Sequence, residues 1–310
     1  THIYRSQFNI VYIYIKIMEY LNIRNDYNIL FTYEDYKAAG PPNFNQIVST
    51  SVAYFLGLFI YNGFLYLLLT MFSCLHRYLG SAANRFKFAR QFTAFTAFTY
   101  LVYDGVMLAI SKEAGDMFSN DLAFGSERLY TFSPTASRMC MFHVAWEIKN
   151  FFDSVYAKDG IEHIIHHAVT ATLAYFGLNP YLHMYAGFFF GLSEISSMAL
   201  ALIVLFVNDR HSQVYIQDIE KDYPTLQIVI GGYFSLMFFL VRIVAWPYVS
   251  YLFWKDNYAL YMENKIHSYT AFYTFLIANI FLTTLQIFWF KDIVKNLIDV
   301  LGGGAKDKKE

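Results

Sequence analysis

The chain has 310 residues, of which 56% are hydrophobic, 20% aromatic and 15% charged, and its net charge is −1. This apolar surplus exceeds what a soluble domain can bury, and it predicts a protein that places side chains against lipid. The near-neutral charge, without a cluster of Lys and Arg among aromatic residues, excludes nucleic-acid binding as a main role. Because a backbone in a bilayer must satisfy its own hydrogen bonds, we expect an all-α, polytopic transmembrane bundle.

In chain order, three regions are predicted. Residues 1–46 are polar and aromatic and form an extramembrane or interfacial N-terminal arm, residues 47–297 form the transmembrane domain, and residues 298–310 form a polar C-terminal tail. A helix needs roughly 20 mostly apolar residues to cross a bilayer. About seven stretches meet this need, at about 47–75, 90–111, 137–157, 162–179, 181–207, 226–254 and 269–297.

The fourth and fifth stretches are expected to form a hairpin. The fourth is short and stops at Asn179 and Pro180, and proline at this point ends a helix. Gly187 and Gly191 follow in the fifth stretch at a spacing of four, which lets another helix backbone approach closely. This hairpin should therefore pack tightly in the bundle.

Ionisable residues within the apolar stretches are the first candidates for a functional site. Such groups are expensive in lipid, so they usually face the interior of a bundle or a cavity. They are Asp104 in the second stretch, Glu147, Lys149 and Asp153 in the third, His163, His166 and His167 in the fourth, Glu194 in the fifth and Arg242 in the sixth.

The three histidines of the fourth stretch are expected to face the bundle interior together. His163, His166 and His167 are spaced i, i+3 and i+4, which puts them on one face of a helix. Histidine titrates near neutral pH, so the cluster could supply a general base for acyl transfer to a hydroxyl or amine. A hydrogen-bonded polar seam between helices is the plainer alternative. One cluster is too small for a di-iron site, and no metal site is predicted, although a single metal stays open.

The remaining ionisable residues are expected to form ion pairs. Lys149 and Asp153 are spaced i, i+4 and can neutralise each other. Arg242 stays charged and therefore needs an anion. The candidates are Glu194, Glu147, Asp104 and a lipid headgroup. Trp246 and Pro247 follow one turn later, where proline should kink the helix and open a crevice beside Arg242.

The sequence from about Tyr100 to Asn296 resembles the TLC domain family, which includes the ceramide synthases. The resemblance rests on motifs in a fixed order: Tyr103–Asp104, His166–His167, Gly191–Ser197, Phe239–Arg242 with Trp246–Pro247, and Trp289–Lys291. It implies a helical membrane bundle that holds lipid or acyl substrates. The double histidine and the arginine–proline segment together are moderately specific.

Two departures separate the chain from the ceramide synthases that it resembles. Their signature has a histidine and a second aspartate where Ser193 and Ser197 stand here. The chain is therefore expected to be a short, diverged member without ceramide synthase activity. The resemblance makes His166 and His167 the candidate catalytic residues, with Glu194 as their acid. His163, His183, Arg242, Asp104 and Asp153 are the candidates for binding lipid or substrate.

The fatty-acid elongases offer a second, weaker resemblance. They carry a similar histidine box after a lysine and an aspartate, and here it is echoed by Lys149, Asp153, His163–His167, Asn179 and His183–Tyr185. This resemblance implies a condensing enzyme. The spacing after Asn179 does not match, so the first family fits better.

The sequence favours a lipid-binding, non-catalytic accessory subunit of a larger membrane assembly. The aromatic arm and the lost signature residues support this interpretation, because 27 Tyr and 32 Phe offer a large contact surface. The alternative is a lipid-remodelling acyltransferase that uses acyl-CoA as a substrate and no cofactor. Membrane lipids and membrane-protein subunits are the expected partners. The endoplasmic reticulum and the mitochondrial inner membrane are both compatible locations.

Overall fold

The computed structural model describes residues 44–73, 77–110, 125–178, 181–206 and 219–301. Most of the predicted arm 1–46 and of the tail 298–310 lies outside these residues. Asn179 and Pro180, at the predicted hairpin turn, also lie outside them.

The described chain is built from helices. They are α1 (Phe44–Met71), α2 (Ala82–Ala109), α3 (Gly125–Tyr130), α4 (Pro134–Ala157), α5 (Ile161–Phe176), α6 (His183–Ala186), α7 (Ile195–Ile203), α8 (Ile219–Asp222), α9 (Pro224–Phe238), α10 (Trp246–Met262) and α11 (Tyr269–Leu301). Short 3-10 turns occur at Arg77–Leu79 and Leu192–Glu194. Among the described residues there is no strand, so the predicted all-α bundle is confirmed.

All seven predicted apolar stretches contain helix, and five helical segments are long and apolar enough to cross a membrane. These five are Val48–Met71, Ala82–Ala109, His183–Ile203, Pro224–Met262 and Tyr269–Ile298. The other two stretches correspond to α4 and α5. Helix α5 has 16 residues, which give about 24 Å of helix against about 30 Å of hydrocarbon. Helix α4 carries several charged groups and packs between α1 and α5.

Two of the spanning segments contain π-helical turns. The first covers Gly187–Gly191, between α6 and α7, and the second covers Phe239–Ala245, between α9 and α10. The predicted distortion near Trp246 and Pro247 is therefore present, but it takes the form of a wide turn directly before them. Proline tolerates the first positions of a helix, and here it occupies the first turn of α10.

Glycines bring α2 against the first π-helical turn. A Cβ atom added to Gly105 would lie 2.8 Å from the backbone oxygen of Gly187 and 2.8 Å from the Cα of Gly191. Side-chain carbon at this position cannot be accommodated without moving one backbone. The close packing predicted from Gly187 and Gly191 is confirmed, and its partner is a third glycine in α2.

A buried ion pair ties α3 to α10. Arg128 donates two hydrogen bonds of 2.7 Å to the carboxylate of Asp256, and the exposed fractions of the two side chains are 3% and 0%. Tyr185 donates a further hydrogen bond to the same carboxylate. Removing one partner of such a pair leaves the other charge buried without compensation.

Replacing Gly105 by Ala should lower the stability of the protein by about 1–3 kcal/mol, because the added methyl group overpacks two backbones. Gly63→Ala in α1 is the matched control, since nothing lies within 4 Å of its Cβ position. That change should be neutral or stabilising by up to about 1 kcal/mol through helix propensity. Thermal unfolding in detergent measures both, and a shift of the same sign would contradict this packing.

Asp256→Ala should destabilise the protein by about 3–5 kcal/mol, because it removes the carboxylate that binds the buried guanidinium of Arg128. Glu263→Ala provides the control. Glu263 pairs with Lys265 at 2.7 Å, but their side chains are 50% and 43% exposed. Exposed pairs contribute about 0–1 kcal/mol. If the two variants lowered the melting temperature equally, the greater contribution expected of the buried pair would be contradicted.

Candidate functional site

The bundle encloses a cavity of about 490 Å³. Its far end is aromatic and apolar, with Phe253 and Phe275 among the lining side chains. Its opposite end is polar and is lined by histidines from α4 and α5 and by Glu147. The size lies within the range of small-molecule and lipid pockets, and the lining combines an apolar body with a few polar groups.

Glu147 lies between two imidazoles at the polar end. Its Oε2 lies 2.6 Å from Nδ1 of His167, and its Oε1 lies 3.3 Å from Nε2 of His143. The carboxylate is buried, and His143 also stacks on Phe190 with ring centroids 4.6 Å apart. A carboxylate accepts hydrogen bonds only, so the neutral imidazole of His167 donates to it.

The contact with His167 fixes the tautomer of that histidine. His167 carries its proton on Nδ1, which leaves Nε2 with a lone pair. Nδ1 of His143 is buried and has no hydrogen-bond partner among the described residues. An imidazole that a carboxylate orients in this way can act as a general base.

The other two predicted histidines lie along the same wall of the cavity. His166 contacts the ring of Trp289 edge-on at 5.4 Å, and its Nδ1 is buried without a partner within the described part of the chain. His163 stacks on the same ring at 5.7 Å, but its side chain is 48% exposed. All three histidines line the cavity, with His166 and His167 inside and His163 at its mouth.

Arg90 and Asp159 line the mouth of the cavity. The guanidinium of Arg90 lies 2.8 Å from the carboxylate of Asp159 in the turn between α4 and α5. Burial raises the pKa of Asp159, and the positive charge and hydrogen bond of Arg90 lower it further than burial raises it. The carboxyl therefore has a pKa below its usual range and stays ionised near neutral pH.

Arg242 pairs with Glu194, one of the anions that the sequence offered as candidates. Its guanidinium lies 3.3 Å from Glu194 and donates to the hydroxyls of Ser196 at 3.3 Å and Ser197 at 3.2 Å. It also lies 5.4 Å from the ring centroid of Trp246, in cation–π geometry. These residues join the second π-helical turn to the start of α7, and they line the cavity.

The sequence also matches a known family over most of its length. A model of the TLC domain covers residues 43–295. The chain belongs to the TLC domain family. It is an integral membrane protein with a function related to lipid. No curated protein and no solved structure matches the chain.

Apart from the first, Tyr103–Asp104, the motifs that carry the family resemblance contribute residues to one cavity of this TLC domain. His166 and His167 line its polar end, and Ser197, Arg242 and Trp246 line it from the other side. These motifs are far apart in the sequence, but in the fold they come together at one cavity.

Glu194 does not supply the acid that the sequence assigned to the paired histidines. It accepts a hydrogen bond from Arg242, whereas Glu147 binds His167. The physical reason is charge: the permanent cation Arg242 takes one carboxylate, and the imidazoles share the other. Our hypothesis is therefore that Glu147, and not Glu194, is the acid that orients the paired histidines.

Two residues predicted to bind lipid are instead bonded within the TLC domain. His183 is fully buried, with Nδ1 accepting from the backbone of Ser133 at 3.1 Å and Nε2 donating to the carbonyl of Gly177 at 2.8 Å. Asp104 binds the guanidinium of Arg138 at 2.9 and 3.1 Å. Neither lines the cavity, so their positions support structural roles.

Asp153 lies behind the site. It pairs with Lys149, as the i, i+4 spacing predicted, and lies 3.8 Å from Arg90. The Lys149 ammonium is fully buried and also lies over the ring of Trp146 at 5.6 Å. Among the described residues, no group of three or more His, Cys, Asp or Glu side chains could hold a metal ion.

Sequence reasoning missed His143 and Arg138. His143 is spaced i, i+4 from Glu147, so the helical period could have joined the two. Arg138 lies in α4 and its partner Asp104 in α2, and no local spacing connects them. Identifying that pair requires knowing which faces of the helices meet.

Arg242→Met should destabilise this TLC domain by about 3–5 kcal/mol, because Glu194 then remains buried without its cation. The double variant Arg242→Met, Glu194→Gln removes both charges and should recover part of that loss. Melting temperatures of the single and double variants in the same detergent measure the coupling. Additive losses would contradict a direct interaction between the two side chains.

Proposed function

We propose that this TLC domain binds an acyl chain in its cavity and performs acyl transfer at the histidine end. The aromatic lining suits hydrocarbon, and the polar groups gathered at one end suit a head group or an ester or thioester carbonyl. The observation that carries the proposal is the Glu147–His167 contact of 2.6 Å on the cavity wall. It supports the acyltransferase alternative over the accessory role that the sequence favoured.

The proposed chemistry assigns one role to each side chain. His167, through Nε2, takes the proton from a hydroxyl or amine as that group attacks the carbonyl carbon of the acyl donor. The same proton then passes from His167 to the leaving group as the carbon–sulfur or carbon–oxygen bond breaks. Glu147 holds the imidazole in the required tautomer and stabilises its protonated form. The reaction needs no cofactor, and acyl-CoA is the expected donor.

His166 is the second histidine of the proposed site. Its Nδ1 lies in the cavity wall without a partner among the described residues. In one tautomer this atom donates a hydrogen bond to a carbonyl oxygen, and in the other it accepts one from the nucleophile. Either contact would position the reacting groups beside His167.

A lipid-binding accessory subunit is the second candidate function. Ser193 and Ser197 replace the signature histidine and aspartate of the ceramide synthases, and both hydroxyls make internal hydrogen bonds. Ser193 donates to the carbonyl of Phe189 at 2.8 Å, and Ser197 accepts from Arg242 at 3.2 Å. A domain that keeps the cavity but has lost some of the catalytic residues would bind lipid without turnover.

The elongase-like condensing enzyme has the least support. Both ring nitrogens of His183 bind backbone atoms, which leaves this imidazole no free position for a substrate. Asp153 pairs with Lys149 behind the cavity wall.

His167→Ala and Glu147→Gln should each lower acyl transfer by about 10²- to 10⁴-fold, because the first removes the base and the second its anionic partner. Proteoliposomes with acyl-CoA and a panel of hydroxyl and amine acceptors, including a sphingoid base, measure the activity. Glu263→Gln, on the exposed surface, is the control and should leave it unchanged.

Mass spectrometry of lipids that co-purify in mild detergent separates the two candidate functions. Bound lipid together with turnover that depends on His167 supports the enzyme. Bound lipid without turnover on any acceptor supports the accessory subunit. A protein that retains no lipid and shows no turnover would contradict both.

A further inference from the structure

Helix α11 lines the length of the cavity with one stripe of side chains. The residues that line it recur every three or four positions: Phe275, Asn279, Leu282, Gln286 and Trp289, followed by Asp292 and Ile293. This spacing keeps them on one face of the helix. The stripe runs from the apolar end, at Phe275, to the polar end, where Trp289 contacts His163 and His166.

Gln286 is the exception in this stripe, because its amide is buried without a hydrogen-bond partner in the described part of the chain. The residue is 1% exposed, and neither its nitrogen nor its oxygen has a hydrogen-bond partner among the described residues. Burying both groups of an amide without partners destabilises the folded protein. Packing alone does not account for a glutamine at this position.

Asn279 shows how the same helix satisfies an amide that has a structural role. Its nitrogen donates to the hydroxyl of Ser250 at 3.0 Å, and its oxygen accepts from the indole of Trp254 at 3.0 Å. Both residues line the cavity, but only the amide of Asn279 is satisfied within the described chain. Gln286 therefore has the property expected of a residue that binds a ligand.

The position of Gln286 defines which part of a ligand it would meet. It lies three residues from Trp289, or about 4.5 Å along the helix axis, and Leu282 follows one turn deeper. Gln286 thus lies at the boundary between the histidine end and the apolar body of the cavity. A chain whose polar end is at His166 would pass Gln286 within its first few carbons.

We propose that Gln286 is a specificity-determining residue that selects an acyl chain with a hydroxyl group near its polar end. A hydroxyl donates to the amide oxygen and accepts from the amide nitrogen, so it satisfies both groups at once. A methylene at the same place leaves both unpaired, which is the basis for rejecting the unsubstituted chain. This inference rests on the proposed binding of an acyl chain, and it names the chain that the cavity prefers.

The test compares four sixteen-carbon fatty acids as competitors of a fluorescent fatty acid, with the purified protein in nanodiscs. One is unsubstituted, and the others carry a hydroxyl on the second, the third or the terminal carbon. The protein should bind the acid hydroxylated on the second or third carbon at least about tenfold more tightly than the unsubstituted one. The terminal hydroxyl should give no gain, because it would lie at the apolar end.

Gln286→Met removes the amide at nearly constant volume and should abolish this preference while unsubstituted acid still binds. Ile287→Met, next to Gln286 but 63% exposed and outside the cavity lining, is the control and should keep the preference. Melting temperatures check that both variants fold. Equal binding of all four acids by the unaltered protein, or a preference that persists in Gln286→Met, would overturn the role of Gln286 but leave acyl binding intact. If none of the acids binds, acyl binding itself is contradicted, and the role of Gln286 falls with it.

Discussion

A charge inside a membrane protein needs a partner, because transfer of an isolated ion from water to an apolar interior costs many kcal/mol. This constraint organises the bundle. Arg128 pairs with Asp256, Arg138 with Asp104, Lys149 with Asp153 and Arg242 with Glu194. Three of these pairs join residues far apart in the sequence, so they also fix which helix faces meet.

Glu147 departs from this pattern. In the described ion pairs its partners are His143 and His167, which carry charge only when protonated, and not a permanent cation. Each imidazole beside Glu147 gains a positive charge when it takes a proton from a ligand, and the carboxylate stabilises that charge. A carboxylate bound to arginine already neutralises a permanent cation and cannot respond in this way. Among the buried acids that the structure describes, Glu147 alone can respond in this way; it lies at the cavity, and the acid–base chemistry proposed for the domain depends on it.

The sequence predicts the helices better than it predicts their partners. Hydropathy located every long helix, and the period of the helix placed His166 and His167 on the cavity side. It could not choose Glu147 over Glu194 as the acid, since the choice depends on the rotation of α4 against α5 and on where Arg242 reaches. His183 was misassigned for a related reason. A histidine that satisfies backbone groups at a helix start resembles a ligand-binding histidine until its neighbours are known.

The cavity depends on two departures from regular helix geometry. The first π-helical turn, at Gly187–Gly191, places Phe190 against the ring of His143, and the second, at Phe239–Ala245, places Arg242 beside Glu194. A π-helical turn inserts an extra residue and widens the helix, and such turns are frequent at functional sites. Regular helices in both positions would rotate the residues that follow by about a quarter of a turn or more, because each residue accounts for about 100°. The side chains that follow each turn, among them Ser197 and Trp246 in the cavity lining, would then point in another direction. The two π-helical turns thus change which side chains point toward the cavity, and regular helices of the same sequence would not place them there.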